Sequence, residues 1–393
     1  MALLLITLLL ASSDLAVTVL GELVTIAPAS ARPHGADCES LHCAQLRVRE
    51  LLAAPLAKGP QAAEDITVRI APGSYELTEP LVFGERDHAT DGRRVVWQAL
   101  GPAGSGGGGG GSRLSRQSQR ASARVLGGTL VRGWERAWGD VWKVKLGRRV
   151  WSLSENSRQS SPARHPNTNP GAGSGQLNGS ASATSFSWNE GALPANVSVF
   201  GLGNTTVLMA SGQNYYWTES WRVGSFNLSA RTANFAPPSR AGFPGDASGQ
   251  TVHAGPHFYL QGSVGLLDEP GEFAMDSAGE WLYYWPRSGL PIEDLEIVAP
   301  ISRRPVQIVG PSKDRPVRGL SFRGLEFVGS DQDPEGVWYL FAITRSNDTP
   351  KRFRNGVIFT ENVSKAVPYP CVSTTVLRPL RPCLSLQNVC QIA

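Results

Sequence analysis

The feature that most constrains this chain is a train of short apolar, β-branched segments separated by Gly, Pro and charged turn residues. From about residue 260 it runs Leu266–Phe273, Trp281–Trp285, Leu295–Ala299, Val306–Val309, Val317–Val328 and Val357–Thr360. Segments of this length bounded by turn formers read as strands. The same pattern occurs earlier, at Leu23–Pro28, Ile66–Ile70, Tyr75–Leu77, Leu81–Phe83, Arg94–Ala99 and Arg124–Thr129. Only Cys43–Ala54 has helical spacing, with Leu46, Val48, Leu51 and Leu52 suited to one face and Pro55 to stop it. Trp134, Trp138 and Trp142 are four apart, but Gly127, Gly128, Gly133 and Gly139 around them favour short strands. The spacing of the later strands is that of one coil of a parallel β-helix, in which each turn stacks on the last; an antiparallel sandwich has similar strands.

Charge excludes some functions. Lys and Arg number 37 against 33 Asp and Glu, a net charge of +4 with no basic block, so nucleic acid has no electrostatic footprint to grip. The first eleven residues, Met1 to Ala11, are an apolar run too short to span a bilayer, and residues 1–21 read as a secretory signal peptide with no membrane span after its removal. Asn178, Asn196, Asn204, Asn227, Asn347 and Asn362 each open an Asn-x-Ser/Thr sequon, which agrees with a secreted, extracellular glycoprotein. Five cysteines follow: Cys38 and Cys43, then Cys371, Cys383 and Cys390. His34 precedes Cys38 and His42 precedes Cys43, but an oxidising compartment favours a short-loop disulfide between Cys38 and Cys43 over a metal cluster. Neither a metal site nor a cofactor is expected, since no Walker loop or GxSxG elbow occurs and the six glycines at Gly106–Gly111 lack a following helix.

Several segments then carry a resemblance: VTIAP at Val24–Pro28, the helix with Gln45, Arg47 and Arg49, Asp65–Asp87, RVVWQALGPAG ending at Gly104, Val125–Trp134, VWKVKL from Val141, and ARHPN at Ala163–Asn167. The most specific is Gly265–Gly289, followed by VAPISRRPVQIVG and VRGLSFRGLEFVGS. Over most of residues 23–330 the chain resembles secreted right-handed parallel β-helix proteins of the pectin-lyase-like fold, a group similar to α-galactosidases and other glycoside hydrolases. The resemblance implies a mostly β protein whose N-terminal β-rich segment, with one helix, leads into a parallel β-helix.

The expected layout is a signal peptide over 1–21, an N-terminal β-rich segment over 22–100, a glycine-rich insertion over 101–124 and a β-rich domain with long loops over 125–292. The first β-helix coils follow over 293–364 and an irregular tail over 365–393. With about three coils in prospect, the resemblance implies an incomplete helix that lacks its catalytic half, and an open end through which copies self-associate. The implied partners are extracellular polysaccharides or glycoprotein glycans. The implied activity is glycoside hydrolysis, lost if the chain is truncated, and the alternative is a non-catalytic carbohydrate-binding or matrix protein.

Glycoside hydrolysis needs two carboxylates flanking the scissile bond. Asp331 and Asp333, with Glu335, sit in a loop leaving a strand and are the candidate acids, although a solvated acidic turn, or Ca²⁺ ligation by the two aspartates, would use the same residues. Asp268, Glu269 and Glu272 surround Pro270-Gly271 and are expected to cap backbone N–H groups or pair with Arg287. Trp217, Trp221 and Arg222, beside Tyr215 and Tyr216, form a candidate sugar-stacking platform, and His165 is a further candidate binding residue. His253 and His257 flank Gly255-Pro256 and do not share a helix face.

Overall fold

A computed structural model describes residues 23–27, 36–54, 65–88, 93–100, 123–167, 177–178, 184–193, 205–211, 217–236, 257–331, 338–340, 358–361 and 372–373. Residues 1–21, expected to be a signal peptide, the polyglycine run and Cys371, Cys383 and Cys390 lie outside these residues.

Three parallel sheets share one core. The first aligns Leu23–Ile26, Ile66–Ile70, Val95–Ala99 and Leu320–Arg323 in that order. The second aligns Gly73–Glu76, Ala123–Leu126, Leu325–Val328 and Val372–Ser373, and the third Leu81–Phe83, Val306–Val309 and Ile358–Glu361. From Ile66 to Glu361 the parallel strands visit first, second and third sheets in turn, and equivalent residues stack: Ile66 is opposite Val95, which is opposite Leu320. Alternation buries every second side chain, as in Ile66, Val68 and Ile70. Trp97 lies at the centre, its ring centroid 5.2 Å from Phe83 and 6.5 Å from Phe322. Strands before residue 100 and after residue 305 therefore belong to the same core.

The helix, Leu41–Ala53, covers one end of that core. Ser40 caps it by accepting the Cys43 N–H at 3.1 Å. Leu41, Ala44 and Val48 are buried against the stack, and Gln45 donates to the Val82 carbonyl at 2.7 Å. Arg49 forks onto the buried Asp87 at 2.8 and 3.0 Å, and Asp87 also accepts the Gly84 N–H at 2.7 Å. Cys38 and Cys43 form a disulfide, and Cys38 bridges to Ile26 on the outermost strand. The expected pair is thus the observed one.

Between Leu126 and Val306 the pairing is antiparallel except where Ser161–Pro162 runs parallel to Glu272–Met275. One sheet orders Ser161–Pro162, Glu272–Met275, Trp281–Tyr284, Val141–Lys145 and Glu135–Trp138. A second runs Arg164–His165, His257–Gln261, Thr206–Ser211, Trp217–Asn227, Thr232–Phe235 and Ser185–Ser187. A third joins Arg158–Gln159, Ser154–Glu155, Ile297–Pro300 and Gly128–Leu130, and it meets the parallel stack through Leu126, Val298 and Val328. Arg124 forks onto Glu296 at 2.7 and 2.5 Å across this seam, where Ser74 also donates to Glu296 at 2.9 Å. Gly127 is required here, because a Cβ would stand 2.0 Å from the Gly329 carbonyl and 2.6 Å from Pro305.

One expected strand is different. Leu266–Phe273 opens with a 3₁₀ turn, Val264–Leu266, and reaches extended form only at Glu272–Met275, because Pro270-Gly271 turns the chain with Gly271 at φ +91°. The result is a mostly β protein with a single α-helix among the described residues, none of whose helices is long and apolar enough to cross a membrane.

Candidate functional site

The turn after Leu267 gathers chemistry from two separated segments. Strand Glu272–Met275 pairs in parallel with Ser161–Pro162, and Ala163 N–H donates to the Phe273 carbonyl at 2.7 Å, so residues 163–167 lie against the turn. Arg287 lies across Gly271, where a Cβ would meet its Nε at 2.6 Å.

Glu272, 4% exposed, fastens the arrangement. Its Oε1 accepts the Arg164 N–H at 3.1 Å, and its Oε2 accepts those of Asp268 and Glu269 at 3.1 and 3.3 Å. Burial pushes the Glu272 carboxyl up to about 8, with the Asp268 charge adding to the rise and the three amides opposing it.

Above this anchor sit Asp268 and His165, with side chains 31% and 26% exposed. Asp268 Oδ1 accepts from Asn167 Nδ2 at 2.7 Å, while its Oδ2 stands 3.9 Å from His165 Nδ1. Arg164 Nη2 donates to the Asn167 carbonyl at 2.7 Å. Asn167 Oδ1 is buried and has no hydrogen-bond partner among the described residues. A fixed carboxylate beside an imidazole offers an acceptor together with a group that both donates and accepts, a set suited to hydroxyls and to proton transfer.

Behind the turn a second network is wholly internal. The Tyr284 hydroxyl donates to Glu155, which also accepts the Arg287 N–H at 3.0 Å, and Ser160 reaches the Tyr284 oxygen at 3.3 Å. Burial, reinforced by Glu155, raises the Tyr284 hydroxyl well above its ordinary value. Both groups are buried, so this network holds strands together.

The other residues singled out in the sequence fall elsewhere. Asp331 Oδ1 accepts the Trp151 and Ser152 N–H groups at 2.8 and 3.1 Å, and its own N–H donates to the Ser302 carbonyl at 2.8 Å. It clamps the 148–152 loop, where Arg148 donates to the Pro300 and Ala299 carbonyls. Asp333 and Glu335 lie outside the described residues. His165, Trp217, Trp221 and Arg222 stand on one sheet, with Trp217 opposite Ser211, Trp221 opposite Val207 and Arg222 exposed. Asn227 is exposed at a strand end, and its Oδ1 accepts the Ala230 N–H at 2.9 Å. Asn178 lies in the short strand Leu177–Asn178, opposite His257, while Asn196, Asn204, Asn347 and Asn362 lie outside the described residues. Among the described residues no group of three or more His, Cys, Asp or Glu side chains could hold a metal ion.

Asp268 and Asn167 are the functional candidates that sequence reasoning missed. The turn signal Pro270-Gly271 gave Asp268 a structural role, and nothing local announces that a segment a hundred residues away docks beside it.

No family model matches the sequence, and no curated protein matches it. Among solved structures, one named as a glycoside hydrolase is similar, with a TM-score of 0.58 at 18% identity, covering 79% of this chain and 51% of that one. This chain thus spans about half the length of that structure. A complex of XylC with xylose is also matched, at 10% identity and a TM-score of 0.24, too low to carry an argument.

Proposed function

We propose that this chain is a secreted, glycan-acting protein built on a right-handed parallel β-helix of the pectin-lyase-like kind, with an antiparallel β region inserted in it. The observation that carries the reading is the set of three parallel sheets around one apolar core, visited in fixed order from Ile66 to Glu361. Crossovers between parallel strands are almost always right-handed, which supports the handedness. The likeness to a structure named as a glycoside hydrolase supports the fold, and the Cys38–Cys43 disulfide and the sequons support an oxidising, extracellular setting. Long loops leaving stacked parallel strands are where such scaffolds place binding and catalytic groups.

One observation favours the non-catalytic alternative. Asp331, a candidate acid, has one carboxylate oxygen committed to two backbone N–H groups, which suits a clamp better than a proton donor. Incubating the purified chain with a panel of neutral and acidic polysaccharides separates the two readings. Release of new reducing ends establishes hydrolysis, retention without release establishes binding alone, and the absence of both removes the glycan reading. Expression in a secretory host followed by peptide N-glycosidase checks the compartment, because an unshifted band would remove that part.

A further inference from the structure

We propose that His165 and Asp268, with Asn167 as the residue that aims Asp268, form a binding subsite for a hydroxyl of a neutral sugar; the proposal rests on the glycan reading and names its ligand class. Three features point to a ligand rather than to a closed ion pair. The first is the gap, since 3.9 Å between His165 Nδ1 and Asp268 Oδ2 is too long for a direct hydrogen bond. An oxygen about 2.8 Å from each of those two atoms, which stand 3.9 Å apart, subtends an angle of about 90°, so the gap takes one hydroxyl.

The second is donor and acceptor balance. Asp268 Oδ1 is occupied by Asn167, which leaves Oδ2 facing His165. A hydroxyl donates its one proton to that carboxylate and accepts from the imidazole N–H, so each polar atom in the gap is satisfied.

The third is the orphan. Among the described residues Asn167 Oδ1 is a buried acceptor without a partner, and flipping the amide would set an oxygen against the Asp268 carboxylate. A buried unmet acceptor beside an open polar gap marks a place where a donor from outside completes the network. Its neighbours make the site selective. Asp268 Oδ2 faces the gap as an acceptor, so a hydroxyl, which can donate to it, fits where the carboxylate of a uronate, which only accepts, does not.

The test is calorimetric titration of the full chain with gluco-, xylo- and galacto-hexaoses and with hexagalacturonate, repeated on Asp268→Asn and His165→Gln. Binding of at least one neutral hexaose is expected, weakened tenfold or more in both variants, with hexagalacturonate not bound. His165 is part-exposed, so His165→Gln, checked by an unchanged melting temperature, keeps the test decisive even if Asp268→Asn does not fold. Neutral binding that survives in folded variants overturns the subsite while the glycan reading stands. Hexagalacturonate bound as tightly as the neutral sugars overturns the ligand class, and a chain that binds no hexaose overturns both.

Discussion

The parallel stack and the inserted antiparallel region hold themselves together by different means. In the stack, like lies on like: Ile66 on Val95 on Leu320, Tyr75 on Val125, Leu81 on Val306, with Trp97, Phe83, Phe322 and Phe327 filling the centre. Register there follows from apolar alternation alone, since a one-residue slip would turn the whole set outward. The inserted region has smaller cores and fixes its register with polar side chains: the buried Glu272 binding three amides, the buried Glu155 receiving Tyr284 and the Arg287 N–H, and the half-buried Asp331 holding the 148–152 loop. A repeating core needs little local specificity. A region assembled from segments a hundred residues apart needs hydrogen bonds to choose its partners, and those bonds leave charged groups at the surface where they can be used.

The comparison breaks most sharply at Trp97. Its side chain is 1% exposed and in contact with aromatic rings from other strands, so Trp97→Ala should remove about 3–5 kcal/mol of unfolding free energy, read by urea denaturation. A loss below about 1 kcal/mol, the range of ordinary surface substitutions, would mean that the stack is not the stabilising core. A smaller effect is expected at the seam. Gly127→Ala drives a methyl against the Gly329 carbonyl and Pro305, an overpacking that costs about 1–3 kcal/mol. Limited proteolysis should show whether the inserted region loosens before the stack; simultaneous loss of both would show that they unfold as one unit.

How far the sequence reveals this molecule follows the same division. Ile66–Ile70, Leu81–Phe83 and Val306–Val309 are legible to the residue, because period-two burial leaves a direct trace in the chain. The helix is legible from its spacing, although it begins at Leu41, two residues before the apolar pattern suggests, because Ser40 supplies the cap. What the sequence hides is long-range docking. The partnership of Asp268 with Asn167 and His165 depends on Ser161–Pro162 pairing with Glu272–Met275, and a two-residue strand carries no periodic signal. Asp331 was readable as an acid in a loop, but its amide partners at Trp151 and Ser152 were not, because nothing near either segment marks the other.

The pH-dependent prediction is the most specific to the polar side of the comparison. Glu272 has a carboxyl pushed up to about 8 by burial, whereas an unfolded glutamate titrates near 4.5. Between those values the folded chain holds a proton that the unfolded chain has released, so stability contributed by this group is fully present below about pH 4.5 and declines as pH rises through 8, the reverse of an ordinary ion-paired carboxylate. Glu272→Gln removes the titration. The variant loses one acceptor for the turn amides and is less stable than the parent at low pH, and the difference between them should narrow steadily from pH 5 to pH 8 when melting temperatures are compared. A difference that widens with pH would mean that the three amides, not burial, set the protonation of Glu272, and that the anchor beneath Asp268 is a carboxylate throughout.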